Sequence, residues 1–411
     1  MKTCAIIAEY NPFHNGHAYL VREAVKRTGA DFCMAVMSGD FVQRGGPAIL
    51  PARMRCLTAL SEGLDMVFEL PSYGACASAE FFAESAVSIL NQLGCVDYLV
   101  FGCESEDLDL LKRAAALLAD EPDAFKACLK EGLKSGLDFP SARSKALMAC
   151  LPGDMPAEGL KDLLHQPNTI LALEYLKALI RTDSPMIPVA VRRQGAAYHD
   201  TALSSDFSSA AAVRAFLQDH APSELPAGKL PETTLDIFRG LEHAKGFPGQ
   251  DDFSEMIAHL LIREDRQLGS YCDMTDELAA RILNMAPFMT SFSDLIRRTG
   301  TRHYTDSRIR RCLFHLLLGH KKAVMEAWKS GGYKDYVRLL GMRRTAGPLL
   351  SAAGKNAPDM LMVRPARDIG RLSETGRILY ETDQKAHRLY RQAALMRHGL
   401  SFDDMDSLIL M

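Results

Sequence analysis

Four short apolar runs, CAIIAEY (4–10), DFCMAVMSG (31–39), DMVFELP (65–71) and VDYLVFG (96–102), alternate with helical periodicity at 15–28, 51–63 and 79–93. Runs this short and this evenly apolar read as strands buried on both faces, and the amphipathic segments between them read as the covering helices. That alternation is the pattern of a parallel sheet wound with helices on both sides. Gly63 and Gly94 stand where the second and third helices should stop. Residues 106–182 read as mostly helical, and MIPVAVRR (186–193) reads as a fifth strand returning to the sheet.

Beyond residue 225 the strand pattern disappears. FSEMIAHLLIRE, RIRRCLFHLLLGHKKAV and RILYETDQKAHRLYRQAALM all space their apolar residues as helices do. The proline-rich, polar stretch APSELPAGKLPETT (221–234) marks a boundary. The expected architecture is a Rossmann-like α/β domain over 1–225, followed by an all-α domain over 226–411. A chain of 411 residues is longer than one hydrophobic core usually serves, which agrees with two domains.

Charge divides the chain unevenly. Residues 301–400 carry 20 Lys and Arg against 8 Asp and Glu, a local +12; with −3 overall, the remainder sums to −15. A basic helical region of this kind suits an anionic partner, with nucleic acid foremost and a solvated face as the plain alternative. Ten scattered cysteines form no Cys-x-x-Cys pair, so a zinc site is not expected. Most lie in apolar segments of a long chain, which suits a reduced, cytoplasmic protein. No apolar stretch approaches membrane-spanning length, and Glu9 breaks the first apolar run before it could serve as a signal peptide.

The candidate chemistry begins where the first strand ends. Ligands of open α/β sheets bind beyond the carboxyl ends of the strands. There EYNPFHNGH (9–17) runs into a helix near Asn15, whose unpaired N–H groups and dipole favour an anion. Gly16 lacks the Cβ that would obstruct a phosphate, and His14 and His17, three apart, share a helix face. Two imidazoles there could stabilise charge on a phosphate. A plain Pro-Asn-Gly turn with incidental histidines is the alternative. DFSSAAAVRAFL (206–217) supplies Ser208 and Ser209 near a helix start with Arg214 after them, though serine caps and solvated arginines are common.

The His-x-Gly-His stretch resembles the opening motif of the nucleotidyltransferase superfamily, and the Ser-Ser…Arg segment resembles its second signature. EYNPFHNGH, MSGDFVQRGGPA, FELP, SAEFFAESAV, FGCES, QPNTILALEYLKAL and RRQGAAYHD, in that order, resemble the bacterial tRNA(Met) cytidine acetate ligase family. RHYTDSRIRRCLFHLLLG (302–319) is more weakly similar to its helical tRNA-binding part. The resemblance implies an HxGH nucleotidyltransferase domain that adenylates acetate with ATP, releasing pyrophosphate. The acetyl group then passes to N4 of the wobble cytidine of elongator tRNA(Met), giving N4-acetylcytidine. Mg²⁺ is expected to accompany the triphosphate.

By the same resemblance, ATP is held by Ile7, Ala8, Glu9, Tyr10, Asn11, Pro12, Phe13, His14, Asn15, Gly16, His17, Ala18, Tyr19 and Leu20. Gly102, Asn168, Arg193 and Ser209 complete that expected set, with His14, His17 and Arg214 as the catalytic groups. Gly102 has a plain rival as a turn glycine and Asn168 as a helix cap after Pro167; His199 of YHD is a further catalytic candidate, with a structural hydrogen bond to Asp200 or Asp206 as its rival. Arg302, Arg308, Arg310 and Arg311 are the expected tRNA contacts, with Tyr304, Tyr333 and Tyr336 either stacking bases or filling core. Two departures from the family stand out. Ala52 replaces a lysine, leaving Arg53 and Arg55 as the nearby cations, and Cys103 replaces a serine. A small-molecule adenylyltransferase and a non-catalytic RNA-binding protein are the competing readings, and neither uses both the motif and the basic helices. The oligomeric state is not legible in the sequence.

Overall fold

Why the first strand is a strand is visible in its two faces. In the computed structural model, which describes residues 1–151, 166–193, 209–402 and 407–411, β1 spans Thr3–Ala8. Cys4 and Ile6 face one hydrophobic core, and Ala5 and Ile7 face another. The same alternation continues in β2 (Phe32–Ser38), β3 (Met66–Leu70) and β4 (Tyr98–Cys103). Both faces are apolar because helices cover both. The helices Asn15–Thr28 and Ala52–Ser61 lie on one side; Ala79–Leu93, Leu108–Asp120 and Pro167–Arg181 lie on the other.

β5 (Ile187–Arg192) pairs with β4, so the parallel order is β5-β4-β1-β2-β3. Among the described residues, the expected strands and helices of this half are present. The strand order reverses between β1 and β4, which makes that crevice the topological switch point, and the His-x-Gly-His turn leaves the sheet at the end of β1.

One expectation is corrected: the region after 225 is not free of strands. β6 (Val337–Met342) runs antiparallel beside β3, and the two-residue strands β7 (Leu361–Met362) and β8 (Ile409–Leu410) pair with β6. All six residues of β6 are buried, so its sequence lacks the polar alternation of a half-exposed strand. A short apolar run set among helices has no periodicity to distinguish it from a helix. The helices between Ala210 and Leu318 share a second core with Phe41, Ile49, Leu50 and Cys76 and with residues 386–402, whereas residues 325–379 pack mainly with the sheet.

Candidate nucleotide site

The turn after β1 is set by its own side chains. His14 occupies the N-cap of the Asn15–Thr28 helix, and its Nδ1 accepts the Gly16 N–H at 3.1 Å. His17 answers by accepting the His14 N–H on its own Nδ1 at 3.2 Å. This is a capping box built from two histidines, their rings stacked 3.7 Å apart. A ring nitrogen that accepts carries no proton, so both imidazoles, when neutral, carry theirs on Nε2. Burial, then Arg193 and Arg214, lowers the pKa of His14 to about 3. Burial, then His14 and Arg193, holds His17 well below its ordinary value. The result is two neutral rings whose remaining polar group is an Nε2–H donor.

Gly16 has a different reason from the one expected. A Cβ there would stand 2.9 Å from Cε1 of His14, so the glycine makes room for the imidazole rather than directly for a phosphate.

A cleft of about 1110 Å³ opens over this turn. Ile7, Ala8, Glu9, Tyr10, Asn11, His14, His17 and Leu20 line it, joined by Gly102, Asn168, Arg193, Ser209 and Arg214. The other expected members of the 7–20 segment stand behind the wall. Phe13 is buried and packs on Tyr10 and His17, and its carbonyl accepts from Thr234. Asn15 donates to the Gly228 carbonyl, Ala18 is core, and Pro12 and Tyr19 do not line the cleft. Ser209 caps its helix by accepting the Ala212 N–H at 3.0 Å, and Arg214 on that helix donates to the Asn11 carbonyl. Asn168 is not the cap of its helix; Gln166 holds that position, and the Asn168 amide lies one residue inside Pro167. Ser208, His199, Asp200 and Asp206 lie outside the described residues.

The substituted family lysine is not replaced by either arginine in this wall. Arg55 is fully buried and donates to the carbonyls of Glu9, Ser38, Gly39 and Leu50, clamping the ends of β1 and β2. Arg53 reaches the Ser407 carbonyl.

The far wall belongs to the basic helix Asp306–Leu318, through Ser307, Arg310 and Arg311. Sequence reasoning assigned no role to the loop that joins the two walls, Gln43–Gly46. Glu9 accepts the Gln43 N–H at 2.7 Å, and a Cβ on Gly45 (φ +72°) would meet the backbone N of Arg311 at 2.8 Å. The paired glycines of QRGG were the available signal, marking close backbone approach. Arg311 is committed to Asp273 at 2.9 Å, while Arg308 sits 5.3 Å from the Tyr304 ring and Arg302 is exposed, both outside the cleft. Tyr333 and Tyr336 are core residues.

A family model described as HIGH Nucleotidyl Transferase matches residues 1–400. The tRNA(Met) cytidine acetate ligase of Caldicellulosiruptor saccharolyticus is 40% identical over 346 residues, which is 83% of this chain and 82% of that protein. Its namesake from Acetivibrio thermocellus is 35% identical over 369 residues, 89% of this chain and 88% of that one. The apo crystal structure of Thermotoga maritima TmcAL superposes with a TM-score of 0.90 at 28% identity, covering 100% of both chains. The form bound with alpha-thio ATP superposes at 0.88 and 27% identity, again over 100% of both. The chain is therefore a HIGH nucleotidyltransferase and belongs to the tRNA(Met) cytidine acetate ligase family.

Proposed function

We propose that this chain is an ATP-dependent ligase that acetylates N4 of the wobble cytidine of elongator tRNA(Met). Acetate oxygen attacks the α-phosphate of ATP, the bond to the β-phosphate breaks, and pyrophosphate leaves. The N4 amine then attacks the carbonyl of acetyl-adenylate, AMP leaves, and the amine loses its proton. Acetate alone has no leaving group, so adenylation makes the second step accessible.

The observation that carries the reading is the neutral imidazole pair facing two arginines in one cleft. His14 and His17 offer Nε2–H donors to oxygens on the phosphates, where negative charge shifts during displacement. Because they are uncharged in the free protein, they favour the anion by directed hydrogen bonds and not by net charge. Arg193 and Arg214 supply the net charge. The Mg²⁺ expected with ATP finds no group of three His, Cys, Asp or Glu among the described residues. It would ride chiefly on the triphosphate, and no step here runs through it. The second wall, with Arg310 and Arg311 in the cleft and Arg302 and Arg308 beyond it, is where the tRNA would lie. No described helix is long and apolar enough to cross a membrane.

The test is purified protein with ATP, labelled acetate and tRNA. Label in tRNA as N4-acetylcytidine supports the reading. Adenylylation of a mononucleotide without tRNA label points to a cofactor-forming transferase, and no pyrophosphate with any substrate points to an RNA binder; either result overturns it.

A further inference from the structure

Behind the cleft wall, the end of β4 and the start of the Pro167–Arg181 helix share a hydrogen-bond relay. Glu104 accepts from Asn168 Nδ2 on one carboxylate oxygen at 2.6 Å and from Thr169 Oγ1 on the other at 2.9 Å. Asn168 Oδ1 in turn accepts from Arg193 Nη1 at 3.4 Å. The β4–β5 pairing places Cys103 opposite Arg192, and the Arg193 N–H donates to the Cys103 carbonyl, which anchors the arginine's backbone beside Glu104. Asn168 and Arg193 line the cleft, while Glu104 does not.

The polarity of the relay follows from the chemistry of its ends. An ionised carboxylate only accepts and a guanidinium only donates, so an amide between them has one satisfying orientation. With Nδ2 toward Glu104, the amide oxygen must face Arg193. Without that carboxylate the amide is free to turn, and a turned amide puts NH₂ against the guanidinium, donor to donor. Thr169, fully buried, holds the second carboxylate oxygen and so fixes the plane of the group.

We propose that Glu104 is a positioning residue of the nucleotide site: by orienting the Asn168 amide, it sets the direction in which Arg193 presents its guanidinium to the triphosphate. The proposal rests on the reading of Arg193 as a phosphate ligand.

The decisive experiment reverses the relay. ATP–pyrophosphate exchange is measured over a range of ATP for Arg193→Ala, Asn168→Asp, Glu104→Gln and the double variant Glu104→Gln/Asn168→Asp. Asn168→Asp sets two carboxylates against each other and should raise KM for ATP by about tenfold or more. In the double variant the new amide at position 104 donates to the new carboxylate at position 168, whose other oxygen faces Arg193. KM should then return to within about threefold of the parent, a recovery that a merely structural role would not produce. A double variant no better than the worse single, with Arg193→Ala impaired, overturns the proposal alone. Arg193→Ala with unchanged KM overturns it together with the phosphate reading of Arg193. If Asn168→Asp does not fold, the pair Glu104→Ala and Asn168→Ala serves instead. If Glu104 acts through Asn168, the double alanine variant should cost no more in KM than Asn168→Ala alone; additive losses overturn the proposal.

Discussion

Two buried histidine sites in this molecule take opposite charge states. At the nucleotide cleft, His14 and His17 have backbone N–H groups on Nδ1 and arginines nearby, and both pKa values are driven down. In the interior, His387 on the Glu374–His398 helix touches Asp40 at 2.7 Å through Nδ1 and Glu69 at 3.0 Å through Nε2. Burial opposes its charge most strongly, yet Glu69 and Asp40 together raise its pKa well above the ordinary value. Desolvation acts in the same direction at both sites. The neighbours decide the outcome: a carboxylate on each nitrogen makes an imidazolium that ties Asp40, just past β2, and Glu69 of β3 to the last long helix, while at the cleft burial, with cations nearby, keeps the pair neutral. One residue type thus stands as a structural cation at one site and as a neutral ring lining the cleft, with its Nε2–H free of the capping turn, at the other.

The largest test removes the structural cation. His387→Leu leaves Asp40 and Glu69 buried without the charge between them, and breaking a buried ion pair in this way costs about 3–5 kcal/mol. The urea midpoint should fall accordingly; a loss well under 1 kcal/mol would mean that the two carboxylates are otherwise compensated. The counterpart at the cleft is His17→Ala. Losing one donor to a charge-accumulating oxygen is worth about 2.7–4 kcal/mol of barrier, so exchange should drop on the order of 10²–10³-fold. The tRNA dissociation constant should stay unchanged. Equal losses in exchange and tRNA binding would break the contrast, because they would make His17 structural too.

A third effect separates the sites by sign. For His14 the folded value, about 3, lies below the unfolded 6.5. Its proton-linked stability is complete above the unfolded value and is lost as pH falls toward the folded one. For His387 the folded value is raised, so its contribution is complete below 6.5 and is lost as pH rises through that folded value. Urea midpoints from pH 4 to 7 should therefore show a flatter acid limb in His14→Gln/His17→Gln than in the parent. The difference should approach about 1.4 kcal/mol per pH unit for each group titrating in one state only. A difference independent of pH would place the cleft histidines' pKa values near normal. In that case the parent's exchange rate would also bend near pH 6.5, where neutral rings give no inflection.

What the sequence made legible follows from distance along the chain. The sheet could be read because strand and helix periods are local, and the histidine pair because His14 and His17 cap the same turn. The relay and the interior network could not. Asp40 and His387 meet across 347 residues, and Asn168 and Glu104 across 64. No local pattern announces such a meeting. Arg55 illustrates the same limit: a cation in a nucleotide-binding segment invites a phosphate role, yet its neighbours are backbone carbonyls. β6 was hidden for another reason, since complete burial erased the alternation that identifies a strand.

The rule that neighbours assign the role also divides the basic helix, and here the expected effects are smallest. Arg311 and Arg308 lie three residues apart on the same helix and look equivalent in sequence. Arg311 is held by Asp273 in a largely buried pair, so its charge is already answered inside the protein. Arg308 is half-buried and lies against the Tyr304 ring, outside the cleft. Arg308→Ala should weaken tRNA binding severalfold and lower the slope of log K against log salt by about 1, the signature of one lost phosphate contact. Arg311→Ala should leave that slope nearly intact and instead reduce stability by about 1 kcal/mol, because Asp273 loses its partner. The reverse pattern, with Arg311 changing the slope and Arg308 silent, would mean that RNA draws Arg311 away from Asp273. The cleft wall, rather than the helix surface beyond it, would then be the principal RNA contact.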